Sequence, residues 1–169
     1  TIKNVTVSKT KSGRYFASFQ VEVEIVPPVY RGKQVGLDLG LSSFAALSDG
    51  RKVDNPWHLI KAQKKLRRLQ KRLSRAQKGS VRGEKTRFKV ARQYERVANQ
   101  RKDFQHKLSH ELVQEHRLTA IEDLHIKGMV RNKRLAKHIS DAGWGEFVRQ
   151  LHYKGNWYGS DVLSVDRWY

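Results

Sequence analysis

The sequence predicts a mixed α/β protein with a basic helical hairpin inserted into its sheet. Three observations support this fold class. Short β runs occupy both ends of the chain, two long runs with heptad-like apolar spacing lie between them, and a helical pattern separates the last two β runs. With 169 residues and 38% hydrophobic content, the chain is long enough to bury a core.

The first predicted element is a β-hairpin between Val5 and Ile25. Two β runs flank the turn Lys11-Ser-Gly-Arg14, and apolar residues alternate from Tyr15 onward. The pair Pro27-Pro28 removes two backbone donors, so a boundary is expected there. A new unit is expected from about residue 31.

Three short strands and a helix start are predicted next. Val35-Gly-Leu-Asp-Leu and Phe44-Ala-Ala-Leu are joined by a Gly-Leu-Ser-Ser turn, and Asp49-Gly50 predicts a third strand from about Arg51. The dipeptide Asn55-Pro56 is typical of a helix start.

Two long antiparallel helices are predicted over roughly Pro56 to Gln77 and Lys85 to Glu115. Apolar residues three and four positions apart form a seam along each of them. We expect the two helices to pack through Leu66, Leu69, Leu73, Tyr94, Val97 and Phe104. A strand from Leu118, a helix capped by Ser140 and ending at Gly159, and a strand from Asp161 to Tyr169 complete the pattern.

The charge of the chain indicates a polyanionic partner. The net charge is +19, and residues 51–107 hold 20 Lys or Arg against 4 Asp or Glu. Like charges repel along a helix unless an external anion offsets them, so a nucleic-acid track is favoured over a merely solvated surface. The expected contacts are Lys64, Lys65, Arg67, Arg68, Lys71, Arg72, Arg75, Arg92, Arg96 and Arg101.

The sequence has no long apolar run and no cysteine, which limits the partners and metal sites that can be expected. No apolar run approaches the roughly 20 residues that span a bilayer, so a membrane partner is not expected. Without cysteine, these residues can form neither a disulfide nor a cysteine-ligated zinc site. A cytoplasmic origin in a bacterium or archaeon is expected, and the oligomeric state stays open.

Two carboxylates lie on predicted strands among apolar neighbours. Asp38 lies within its strand and Glu122 at the end of another, where an isolated buried carboxylate is costly. If the strands are neighbours, the carboxylates could share Mg²⁺ or Mn²⁺, which prefer oxygen ligands. The alternative is that Asp38 lies on an edge strand and faces water.

Three sequence blocks resemble the TnpB (OrfB-type) proteins of bacterial insertion sequences. The blocks are Val35-Gly-Leu-Asp-Leu-Gly-Leu-Ser-Ser-Phe-Ala-Ala-Leu, Ala120-Ile-Glu-Asp-Leu-His-Ile-Lys-Gly-Met and Ile139-Ser-Asp-Ala-Gly-Trp-Gly-Glu-Phe. The resemblance implies an RNA-guided, metal-dependent DNA endonuclease with an RNase H-like (RuvC) domain, which binds guide RNA and target DNA. It also implies that Asp38 and Glu122 are catalytic metal ligands, and that such proteins are related to compact type V CRISPR nucleases.

The resemblance also implies the domain boundaries and the missing parts. Residues 1–30 resemble the last hairpin of a wedge-type β domain, and residues 31–169 resemble an incomplete RuvC-like domain with a helical insertion over about 56–115. In the family, a four-cysteine zinc ribbon and the third catalytic aspartate follow the last strand, so the chain is expected to be a fragment with little activity alone. Neither Asp161 nor Asp166 matches the motif of that third aspartate.

Two further functions and one further residue stay open at this point. The chain could be a nuclease-dead or truncated module that acts as a guided DNA binder or repressor. A basic ribosome-type RNA-binding protein is the third reading, although the carboxylates on strands count against it. Trp57, at a helix start, is the best candidate for stacking on a base.

Overall fold

A computed structural model describes residues 1–29 and 32–166 of the chain. Within them, the strands are β1 (Ile2–Lys9), β2 (Tyr15–Val21), β3 (Gln34–Asp38), β4 (Ser43–Leu47), β5 (Lys52–Asp54), β6 (Leu118–Glu122) and β7 (Asp161–Val165). The helices are α1 (His58–Ser74), α2 (Val81–Glu115), α3 (Ile126–Met129), α4 (Ala136–Ala142) and α5 (Trp144–Tyr158). The mixed α/β class, the order of the strands and the two long helices are as the sequence predicts, whereas α3 and the separate helix α4 are not predicted.

The chain forms two compact units. The first combines Thr1–Glu24 with Lys61–Gln100, and the second combines Ile25–Ile60 with Arg101–Tyr169. The assignment of residues 1–30 to a wedge-type domain and of residues 31–169 to a RuvC-like domain stays a prediction.

The first unit joins the predicted β-hairpin to the basic helices. Strands β1 and β2 pair antiparallel up to Lys9 and Tyr15, and the turn needs a glycine at residue 13, whose φ is +84°. A Cβ there would lie 3.4 Å from the Phe88 ring, so the turn approaches α2 closely. All residues of the two strands remain exposed.

The helical seam is confirmed at its centre and is wrong at Tyr94, and Leu69 and Leu73 are partly buried. Leu66 and Val97 are buried in the first unit, and the Gln70 amide donates to the Tyr94 hydroxyl at 2.7 Å, which links α1 to α2. The Tyr94 side chain is nevertheless exposed, because this polar contact lies at the surface. Phe104 contacts α1 through the His58 ring, with centroids 6.4 Å apart, and also packs edge-to-face on Phe44 in the second unit, with centroids 4.9 Å apart.

Both long helices begin at residues other than those predicted. Helix α1 starts at His58 rather than Pro56, since Trp57 has a positive φ of 51° and interrupts the helical backbone. Helix α2 starts at Val81 rather than Lys85, because the Ser80 hydroxyl accepts a hydrogen bond from the Gly83 amide and caps the first turn.

The second unit is built on a five-stranded mixed sheet with the order β5-β4-β3-β6-β7. Strands β3, β4 and β5 form an antiparallel meander, whereas β6 pairs parallel to β3 and β7 parallel to β6. Strands β3 and β6 are therefore the neighbours that the carboxylate hypothesis requires.

One face of this sheet carries the hydrophobic core. Alternate residues of β3 and β6, including Val35, Leu37 and Ile121, are buried and belong to one cluster with residues of α2, α4 and α5. Phe44 and Phe147 meet edge-to-face in this cluster, with centroids 5.1 Å apart. The helices thus cover one side of the sheet and fix the positions of its strands.

The predicted Ser140 cap is wrong. Ser140 lies inside α4, and Gly143 adopts a left-handed conformation that ends α4 and immediately precedes α5. The chain therefore changes direction at a glycine, which tolerates positive φ, and no side chain caps α5. The predicted end at Gly159 is confirmed. Strand β7 ends at Val165, and the remainder of the predicted strand includes residues 167–169, outside the described residues.

Candidate active site and nucleic-acid interface

A cavity of about 480 Å³ lies along the strands of the second unit. Its lining includes three small residues, Gly36, Ala46 and Ala120, on three adjacent strands. In β3 and β6 these residues alternate with the buried core residues, so they lie on the other face of the sheet. Small side chains leave room above this face for a ligand.

Asp38 and Glu122 both line this cavity. Glu122 is partly buried, but Asp38 is exposed, so the expectation of a buried carboxylate is wrong for Asp38. Leu37 of β3 is in register with Ile121 of β6, and the two carboxylates follow immediately at the ends of these parallel strands. Adjacent strands lie about 4.8 Å apart, and residues in register point to the same face. Both predicted carboxylates are therefore brought to one cavity, on neighbouring strands.

A third carboxylate residue, Asp166, lines the same cavity directly after β7. Sequence reasoning set it aside because it lacks the family's motif, and the pairing of β7 beside β6 is what places it there. Among residues 1–29 and 32–166, no three His, Cys, Asp or Glu side chains form a group that could hold a metal ion. Asp38 and Glu122 could thus supply part of a metal site.

The predicted nucleic-acid contacts of the first unit are exposed. This exposure holds for the seven basic residues predicted on α1 and its C-terminal end and for two on α2: Lys64, Lys65, Arg67, Arg68, Lys71, Arg72, Arg75, Arg92 and Arg96. Exposure leaves their charges available to an external phosphate backbone.

Arg101, the tenth predicted contact, is engaged within the second unit. Its Nη2 atom lies 3.2 Å from the Asp141 Oδ1 atom, and its side chain is three-quarters buried. The guanidinium therefore already has an anionic partner in the fold.

Asp141 is an important residue that sequence reasoning missed. Its carboxylate is buried and accepts hydrogen bonds from the backbone amides of Leu59 at 2.9 Å and Ile60 at 3.2 Å, in the first turn of α1. A carboxylate there satisfies unpaired helix donors and favours the positive end of the helix dipole. No local pattern could indicate this cap, because its donors lie about 80 positions away in sequence.

A buried polar network joins α2 to α5 behind the sheet. The Lys154 ammonium donates to the His106 carbonyl at 2.6 Å and to the Ser109 hydroxyl at 2.8 Å, and burial lowers the pKa of Lys154. Hydrogen bonds from Arg149 lower the pKa of Glu146 to about 2, with further support from the Gln150 amide. The Lys154 contacts join α5 to α2, whereas Glu146, Arg149 and Gln150 all lie on α5.

Trp57 is not an open stacking platform. Its ring is partly buried and meets His138 edge-to-face, with ring centroids 5.1 Å apart. In the part of the chain that the structure describes, no helix combines the length and apolarity needed to cross a membrane.

Comparison with known proteins identifies the family. A family model described as "Probable transposase", the OrfB type of IS605, matches residues 18–133. A Streptomyces pristinaespiralis protein named "Putative RNA-guided DNA endonuclease" is 42% identical over 165 residues, which cover 98% of this chain and 41% of that protein. The Escherichia coli K12 protein named "Putative RNA-guided DNA endonuclease InsQ" is 39% identical over 180 residues, covering 97% of this chain and 44% of that protein.

A similarly named protein of Mycobacterium tuberculosis is 33% identical over 147 residues, or 80% of this chain and 32% of that protein. The chain spans less than half the length of each of these relatives. The match of the family model over well over half of the chain is decisive, and the chain belongs to the TnpB (OrfB-type) family of transposases.

Proposed function

We propose that this chain is part of an RNA-guided, metal-dependent DNA endonuclease with an RNase H-like (RuvC) domain. The observation that carries the proposal is the position of Asp38 and Glu122 on neighbouring parallel strands, lining one cavity. The mixed sheet, with helices on the face opposite these carboxylates, supports the RuvC-like assignment. The printed names of the relatives support RNA and DNA as partners.

The donor atoms of this cavity fit Mg²⁺ or Mn²⁺. Asp38 and Glu122 offer carboxylate oxygens, which hard divalent cations prefer, on strands fixed by the core. A divalent ion held there would stabilise the attacking and leaving oxygens of a phosphodiester displacement. A further carboxylate ligand and a zinc ribbon are expected from residues that follow this chain in a longer protein.

The chain's own cations have a separate role in this proposal. The exposed Lys and Arg of α1 and α2 would bind the phosphate backbone of a guide RNA and its DNA target. The hairpin of β1 and β2 would contribute to guide RNA binding, as expected of a wedge-type domain. Affinity and chemistry would then depend on different residues.

A second candidate is a guided DNA binder or repressor without nuclease activity. It is favoured by one observation: the described residues contain no group of three side chains able to hold a metal ion. Two carboxylates alone bind a divalent cation weakly. This chain by itself should therefore show weak Mg²⁺ binding by calorimetry and little cleavage.

The decisive experiment uses a longer form of the protein that also supplies the third aspartate. We expect Asp38→Ala and Glu122→Ala each to lower the cleavage rate at least about a hundredfold, because Lewis-acid stabilisation is worth several kcal/mol. Their affinity for nucleic acid should change less than about twofold, because few phosphate contacts are lost. Cleavage rate and affinity are measured on the same samples.

Asp54→Ala is the matched control, since Asp54 is an exposed aspartate at the end of β5. It should leave both quantities unchanged. Full cleavage by Asp38→Ala would remove this residue from the site and overturn the nuclease mechanism. Binding without cleavage by the unmodified long form would favour the repressor.

A further inference from the structure

The first unit contains a second cavity, of about 500 Å³, between the hairpin turn and the two basic helices. Five of its lining residues are basic, and none is acidic in the part of the chain that the structure describes. The basic residues are Arg14, Lys65, Lys89, Arg92 and Arg96. The cavity therefore concentrates positive charge in a concave site, which favours an anionic group.

Two of these guanidinium groups are held by the fold. The Arg92 Nε atom donates to the Ser12 carbonyl through a long hydrogen bond of 3.5 Å, and Arg14 lies 3.7 Å from the largely buried Glu95 carboxylate. The Ser12 side chain is buried, and its hydroxyl lies 2.9 Å from that of Thr10, so the turn is itself ordered. A planar guanidinium held in place binds phosphate and stacks on bases with little loss of entropy.

The cavity also contains three amide side chains, from Gln93, Asn99 and Gln100, within about two turns of α2. A surface that only follows phosphates needs cations, whereas amides both donate and accept hydrogen bonds. Such groups can pair with a base edge or a ribose 2′-hydroxyl. The lining is thus divided between groups for a phosphate and groups for a nucleoside.

The size of the cavity fits one nucleotide. A volume of about 500 Å³ is within the roughly 300–1,000 Å³ of pockets that enclose a small ligand, and far too small for a duplex. A base in duplex DNA must first be unpaired and unstacked, whereas the bulges and loops of folded RNA already present unstacked bases. RNA is therefore the better fit.

We propose that this cavity binds a single unstacked nucleotide of a folded RNA. Arg14, Arg92 and Arg96 hold its phosphate, and Gln93, Asn99 and Gln100 contact its base or 2′-hydroxyl. The proposal rests on the nucleic-acid-binding part of the proposed function and is independent of Asp38 and Glu122. It gives the chain a means of selecting one RNA shape among many polyanions.

The test compares two RNA hairpins of about 20 nucleotides, one with a single unpaired nucleotide and one fully paired. We expect the bulged hairpin to bind the full chain at least tenfold more tightly in fluorescence anisotropy, for at least one of the four bulged bases. A bulged DNA hairpin of the same sequence should lose most of this preference.

The triple variant Gln93→Met, Asn99→Leu, Gln100→Met should bind the bulged RNA only as tightly as the paired RNA. Its affinity for the paired RNA and its salt dependence should not change, because amides carry no charge. Gln77→Met, which changes an exposed amide outside the cavity, is the matched control and should keep the tenfold preference. Unchanged affinity for the paired RNA also reports that the triple variant is folded.

The outcomes separate this inference from the proposed function. Equal binding of bulged and paired RNA, or an undiminished preference in the triple variant, overturns the nucleotide pocket while nucleic-acid binding stands. Equal preference for bulged DNA overturns the assignment to RNA. If neither hairpin binds, both the pocket and the basic track are wrong.

Discussion

The Asp141 carboxylate connects the start of α1, helix α4 and Arg101 of α2 in the second unit. It is buried, yet four donor–acceptor pairs join it to two backbone amides and one guanidinium. A buried charge is tolerated when its oxygens are satisfied in this way. Each partner depends on the carboxylate, since removing it leaves partly buried donors without this acceptor.

We expect Asp141→Ala to lower the free energy of unfolding by about 3–5 kcal/mol, the usual effect of breaking a buried ion pair. Urea denaturation measures this change. Asp103→Ala is the control, because Asp103 forms an exposed pair with Lys107 in the same unit and should cost under about 1 kcal/mol. Equal effects of the two substitutions would show that Asp141 does not support the fold.

The charged residues discussed above differ in how well the sequence alone predicts their contacts. Asp38 and Glu122 are marked locally, because a charge within an apolar strand needs an explanation. Asp141 has no such local signal, and Asp166 reaches the cavity only through the pairing of β7 with β6. In the sequence, Arg101 resembles the exposed cations of α2, because its partner Asp141 lies 40 positions away and no local pattern links the two.

At the scale of elements, apolar periodicity identified the order of strands and both long helices. Periodicity did not locate the first residues of the helices, because single residues determine where a helix begins. Trp57 with its positive φ delays α1, and the Ser80 hydroxyl advances α2. Periodicity also could not indicate that Phe104, besides contacting His58 of α1, packs on Phe44 of the sheet.

The contact between α5 and β7 depends on a glycine. A Cβ at Gly155 would lie 2.6 Å from the Ser160 carbonyl oxygen and 3.0 Å from the Val162 Cγ2 atom. These distances are shorter than van der Waals contact, and the first involves backbone that cannot move freely. The position of β7, beside the strand that carries Glu122, therefore requires a residue without a side chain at 155.

We expect Gly155→Ala to lower the free energy of unfolding by about 1–3 kcal/mol, as overpacking does. Gly145→Ala is the matched control on the same helix, where a Cβ would lie an ordinary 3.6 Å from Ile126 Cδ1. Alanine should stabilise that position by up to about 1 kcal/mol through helix propensity. Both values come from thermal or urea unfolding, and a neutral Gly155→Ala would contradict the close approach.

For the whole molecule, the exposed basic helices and the cavity with the candidate carboxylates belong to different compact units. The exposed cations of α1 and α2 up to Gln100 belong to the first unit, and the cavity with Asp38 and Glu122 belongs to the second. Composition alone could predict a polyanionic partner, because the net charge does not depend on how the chain folds. The nucleotide-sized cavity could not be predicted from sequence, since its lining comes from a turn and two helices that meet only in the fold.

The net charge of +19 leads to a prediction about the whole chain. Each phosphate neutralised on duplex DNA adds about −0.9 to the slope of log affinity against log salt. If about five phosphates are contacted, raising the salt concentration from about 50 to about 200 mM should weaken binding roughly 500-fold. Fluorescence anisotropy of a labelled duplex over a salt series measures the slope.

The quadruple variant Lys64→Gln, Arg67→Gln, Arg68→Gln, Lys71→Gln tests where that charge acts. All four side chains are exposed on α1, so their loss should leave the fold intact. For every one of them that contacts a phosphate, the slope should become less negative by about 0.9. A slope near zero for the unmodified chain would remove the electrostatic track, whereas a steep slope that the variant shares would place the track on other cations.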